Sequence, residues 1–211
     1  MSEALKRLEK EMRIATVTTE NRAEEDQDKM VLSGYALTFD NKTRIGEDPD
    51  YCFDEVILSG ALDGTDMKKV PLKYNHDNGY LAIASTKNGS LRLRVDKKGL
   101  YFEADLIETP HNRSIYEAVK SGLVNECSFA FTIEKADWDF DTEVPLRMIQ
   151  KIKRLYDVAL VDLPAYENTE VYARSFRELE DARNTVEAVK QREDDIKQRL
   201  KIKIKIGGNT Q

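Results

Sequence analysis

Apolar residues return at every second position in one short segment after another, a period that fits a strand and not an amphipathic helix. Val70-Pro71-Leu72-Lys73-Tyr74-Asn75-His76 sets Val70, Leu72, Tyr74 and His76 on one face. Over residues 127–134, Cys127, Phe129, Phe131 and Ile133 take one face and Ser128, Ala130 and Thr132 the other. Residues 91–95, the turn Asp96-Lys97-Lys98-Gly99 and residues 100–106 form the clearest hairpin. Segments 30–39, 53–57 and 148–162 bring the expected total to roughly seven strands. Ser59-Gly60-Ala61-Leu62 reads as a turn or short helix, and the acidic stretch 137–145 as an exposed loop.

Helical spacing is confined to other places. Leu5, Leu8 and Met12 predict a short amphipathic helix over 3–13. Thr109 is suited to cap a helix over 112–121 that Gly122 ends. Over 176–199, Leu179, Val186, Val189 and Ile196 recur among many charges, as in a long helix. Lys201-Ile202-Lys203-Ile204-Lys205-Ile206 then alternates, and reads either as an edge strand for a partner or as a fraying end. The expected fold is mainly β with flanking helices (α+β), a mostly antiparallel barrel-like sheet wrapped by helices. Its parts are an N-terminal helical extension, 1–13, a β domain, 14–175, and a charged helical tail, 176–211.

Charge and cysteine content exclude several classes. The net charge of -6 argues against general binding of nucleic acid through its phosphates. Residues 175–211 hold nine Lys/Arg and seven Asp/Glu, a net of +2, which leaves -8 on the rest. The tail is therefore the better place for an electrostatic partner contact. Cys52 and Cys127 lack CxxC spacing and only two histidines exist, so a zinc site would need most of the four at once, and the expectation is no metal and no cofactor. Both cysteines read as small buried hydrophobes of a reducing compartment, with a Cys127 nucleophile secondary to Ser128. No apolar run approaches the ~20 residues that span a bilayer, and Met1-Ser2-Glu3-Ala4-Leu5-Lys6 lacks the apolar core of a secretory signal. A cytoplasmic protein without membrane contact is expected.

Three side chains make a chemically complete set. Taken singly, His76 at a strand end is more often a hydrogen-bonded rim residue, and Ser128 more often part of a small-residue packing face. Asp157, in Leu155-Tyr156-Asp157-Val158-Ala159-Leu160-Val161, is expected to share a face with Leu155, Ala159 and Val161. A carboxylate there requires a partner, because burying an unpaired charge is costly. An imidazolium suits that need. A hydroxyl in turn needs a base to become a nucleophile, and the base needs a third group to hold its tautomer.

Six ordered blocks carry a resemblance. They are Gly34-Tyr35-Ala36-Leu37-Thr38-Phe39, Leu58-Ser59-Gly60-Ala61-Leu62, Val70-Pro71-Leu72-Lys73-Tyr74-Asn75-His76-Asp77, Gly99-Leu100-Tyr101-Phe102-Glu103-Ala104, Gly122-Leu123-Val124-Asn125-Glu126-Cys127-Ser128-Phe129-Ala130-Phe131 and Leu155-Tyr156-Asp157-Val158-Ala159-Leu160-Val161-Asp162-Leu163-Pro164-Ala165-Tyr166. Over about residues 14–175 the chain resembles the phage prohead serine proteases, which are distantly similar to herpesvirus assemblins. The resemblance implies the assemblin-like barrel, His76 as general base and Ser128 as nucleophile. Herpesvirus relatives use a second histidine as third member, whereas the phage proteins have an acidic residue that matches Asp157. His111, at the start of a helix, is read as a surface residue. The resemblance also implies an oxyanion hole of backbone amides at Ala165 or Tyr166, since Pro164 has no N–H.

The activity implied by the resemblance is that of a serine endopeptidase. It would cleave scaffold, or the scaffolding segment of the major capsid protein precursor, and itself. It would act in the host cytoplasm, inside the assembling procapsid. The tail is read as a packaging element that self-cleavage trims, or equally as a plain charged helix or coiled-coil homo-oligomerisation tail. The rival reading is a non-enzymatic capsid assembly or scaffold protein.

Overall fold

The computed structural model describes residues 11–15, 30–46, 48, 52–162 and 169–207. The chain divides into two compact units, one through Asn168 and one from Thr169. In the first, the described strands are β1 (Glu11–Ala15), β2 (Met30–Thr38), β3 (Lys42–Ile45), β4 (Phe53–Ile57), β5 (Pro71–Tyr74), β6 (Ala84–Ser85), β7 (Leu91–Val95), β8 (Gly99–Leu106), β9 (Glu126–Asp139) and β10 (Leu146–Val161), with helix α1 (Pro110–Lys120) before β9. The second unit contains helix α2 (Thr169–Gly207). No helix among the described residues is long and apolar enough to cross a membrane.

β10 is the spine of the larger sheet. Along one edge it pairs antiparallel with β9; on the other it takes β4 in parallel at Leu146–Ile149 and β5 in parallel at Val158–Leu160. β1, β3 and β6 extend that sheet through β9, β4 and β5. The smaller sheet runs β2-β8-β7 and contains the expected hairpin. The described strands thus form two sheets rather than one closed barrel, and β10 has parallel neighbours at both ends. The physical reason is length: a 16-residue strand outruns either short partner and receives two in succession.

Between the sheets lies one apolar core. Leu32, Leu37, Leu100 and Phe102 come from the smaller sheet, Leu72, Phe129, Phe131, Leu155, Val158 and Leu160 from the larger, and Ile115 and Val119 from α1. Burying a side chain such as Phe129 contributes roughly 1.5–3 kcal/mol. α1 begins and ends where its flanking residues demand. Thr109 is extended (φ -136°) and its hydroxyl accepts the Asn112 N–H, Pro110 needs no donor, and Gly122 follows in left-handed backbone (φ 79°).

Four expectations fail locally. Residues 11–13 belong to β1, not to a helix over 3–13; Ile14 pairs with Ser128, because the edge of β9 offers unpaired backbone groups. Residues 1–10 lie outside the described residues. The stretch 137–145 is strand as far as Asp139, where Trp138 packs edge-on against Phe53 at 5.1 Å. α2 begins at Thr169 rather than 176 and runs through 201–206, so the Lys/Ile alternation is helix, not edge strand.

Candidate active site

Ser128 lies on β9, and its register decides what can face it. Opposite pairs in an antiparallel ladder share a face, so Ser128 faces outward from the core with Ala159, and Ala130 with Asp157. Leu155, however, pairs with Phe131 on the core side. The two faces meet because β10 has a bulge at Tyr156: Leu155 opposes Phe131, and the next opposed residue is Asp157, against Ala130. Without that extra residue Asp157 would fall opposite Phe129 and point into the apolar core. The expectation that Asp157 shares a face with Leu155 is therefore corrected, whereas Ala159 and Val161 do lie on its side.

His76 reaches the same face by leaving its strand. β5 ends at Tyr74, and Asn75 and His76 both adopt left-handed backbone, at φ 50° and 55°. Unbroken alternation would have put His76 with Leu72 on the core side. The turn instead carries the imidazole toward the face of Lys73, which is level with Ala159 in the parallel β5–β10 pairing. Two such residues cost about 1–2 kcal/mol each, and a clamp offsets this. The Tyr74 hydroxyl donates to Asp162 Oδ2 at 2.5 Å, the Asn75 amide donates to Asp162 Oδ1 at 2.8 Å, and the Asn75 N–H bonds Leu160 O. The Asp162 carboxylate also holds the Tyr74 phenol above its usual pKa.

The three side chains meet in a line. His76 Nδ1 is 2.6 Å from Asp157 Oδ1, and His76 Nε2 is 2.6 Å from Ser128 Oγ. An ionised carboxylate only accepts, so Nδ1 carries the proton, which leaves Nε2 as acceptor for the Ser128 O–H. Ser128 is fully buried and Asp157 is 1% exposed, so the polar chain lies in a low-dielectric setting where each contact is strong.

Neighbours set further limits. Cys127 points into the core, and complete burial pushes its thiol up to about 12, so it is not a thiolate near neutral pH. Cys52 is also buried, and Arg44 Nη1 donates to its sulfur at 3.9 Å. His111 stacks on Tyr80 at 5.2 Å, outside the Asp157–His76–Ser128 line. Ala165 and Tyr166 lie outside the described residues. Sequence reasoning missed Lys73, whose Nζ sits 3.4 Å from Asp157 Oδ2 and donates to Asn78 Oδ1 at 2.6 Å. Its one sequence signal was a lone charge between Leu72 and Tyr74 in an apolar strand.

A hydroxyl, an imidazole and a carboxylate in this order are the working groups of acyl-transfer enzymes with a serine nucleophile. The family model described as caudovirus prohead serine protease matches residues 17–183, most of the chain, and the chain belongs to that family. Family membership makes it a serine protease of phage capsid maturation. Neither the curated proteins nor the solved structures contain a match.

Proposed function

We propose that the protein is a serine endopeptidase with Ser128 as nucleophile, His76 as general base and acid, and Asp157 as the carboxylate that orients the imidazole. The unbroken pair of 2.6 Å contacts from Asp157 through His76 to Ser128 carries this reading. Ser128 Oγ adds to the scissile carbonyl carbon while its proton passes to His76 Nε2. Asp157 stabilises the imidazolium without taking its proton. The tetrahedral intermediate collapses, the amine leaves with the proton from Nε2, and an acyl ester on Ser128 remains. Water then attacks that ester, with His76 again as base. Backbone N–H groups of Ala165 or Tyr166, just beyond β10, are the proposed oxyanion donors.

Substrates, in this reading, are scaffold or the scaffolding segment of the major capsid protein precursor, and the protein itself, inside a procapsid in the host cytoplasm. The long charged helix α2 supports a packaging or oligomerisation role for the tail, with self-cleavage as its means of release. Incubation of the purified full-length chain tests the whole reading. Intact mass should show time-dependent shortening that Ser128→Ala abolishes while its circular dichroism stays that of the wild type. Shortening of Ser128→Ala at the wild-type rate would remove Ser128 from the role of nucleophile.

A further inference from the structure

We infer that Glu126 is a specificity-determining residue that receives a cationic side chain of the substrate polypeptide close to the scissile bond, an inference that rests on the triad reading. Glu126 opens β9 two residues before Ser128, so both side chains leave the same face of the strand, about 7 Å apart along it. Its Oε2 is buried and, among the described residues, meets no hydrogen-bond donor. Buried carboxylate oxygens are almost always satisfied, and this one lies beside the place where substrate must lie. Glu126 is level with Val161 on the face of the Asp157–His76–Ser128 line, and the chain outside the tail carries a net -8. A lysine or arginine side chain is the group that this oxygen lacks, and at about 3.3 Å per extended residue it comes from within two or three residues of the cut.

A peptide library digested with the full-length enzyme, with new termini identified by mass spectrometry, tests this. Wild-type cuts should show Lys or Arg enriched at one fixed position near the cleaved bond. Glu126→Gln should lower that enrichment at least tenfold, and Glu126→Lys should replace it with Asp or Glu. No basic preference in the wild type, or the same preference in both variants, overturns the assignment. Failure of the triad reading looks different: Ser128→Ala would then cut as well as the wild type, whatever the position of basic residues.

A separate observation carries a second proposal: we infer that Lys73 is a positioning residue for Asp157 and the His76 loop. Its ammonium, on a side chain 15% exposed, bridges Asp157 Oδ2 on β10 to Asn78 Oδ1 on the loop that holds His76. Asp157 Oδ1 is thereby left to His76, and the loop is tied to the carboxylate it must meet. On peptides cleaved by the wild type, Lys73→Met should lower kcat at least tenfold with KM little changed, and Lys73→Arg should recover most of the loss. A loss confined to KM, or Lys73→Arg as slow as Lys73→Met at equal Tm, overturns it.

Discussion

Asn75 and His76 bend the chain out of β5 through two left-handed residues, and that single turn brings a base to a hydroxyl on another strand. Because the imidazole serves only while its Nδ1–H is held, the three proposed roles should separate in kinetics. Asp157→Asn is expected to lower kcat by about 10²–10⁴, because it favours the wrong tautomer. His76→Ala and Ser128→Ala should cost more, about 10⁴–10⁶. A wild-type rate in Asp157→Asn would dismiss the carboxylate. Cys127 tests the neighbouring position in another way. With its thiol pushed up to about 12, roughly one molecule in 10⁴ is thiolate at pH 8. Iodoacetamide should therefore leave Cys127 unmodified in the native protein and alkylate it fully in guanidinium, as peptide mass mapping would read. The same burial couples folding to pH. The folded state keeps the proton while the unfolded chain loses it near 9, so stability is fully present below about 9 and declines as pH rises toward about 12. Cys127→Ala should remove that part of the alkaline decline in a Tm–pH series.

At the scale of elements, β10 holds the site at one end and a buried ion pair at the other. Arg147 and Glu55, level with each other in the parallel β10–β4 pairing, meet at 3.3 Å with 3% and 4% exposure. Removing one partner leaves a buried charge, so Glu55→Gln or Arg147→Met should each destabilise by about 3–5 kcal/mol. The double variant should lose much less than the sum, and additive losses in urea unfolding would show that the pair is not coupled. Most of these strands were legible in the chain: those expected at 53–57, 91–106 and 127–134 appear as β4, β7–β8 and β9. Residues 11–13 and 201–206 were not, because a few residues of either period are decided by what lies beside them. β1 had the edge of β9 to join, whereas 201–206 continue a helix already running.

For the whole molecule, the family assignment makes the chain a serine protease of phage capsid maturation, and the proposed substrate, capsid precursor, can be tested directly. Co-expression of wild-type protein with the precursor should yield shortened capsid protein, and Ser128→Ala should yield assembled but uncut precursor. Full-length precursor in both cases would count against the proposed substrate. By itself the sequence determined most of the strands, where α1 is capped, and which hydroxyl, imidazole and carboxylate were worth connecting, because periodicity and capping are local properties. Only the tertiary structure decided that they meet. The bulge at Tyr156 turns Asp157 from the core to the outer face, and the left-handed turn at Asn75 and His76 does the same for the base. Which face a strand residue occupies depends on long-range register, and one inserted residue or one reversed φ exchanges inside for outside.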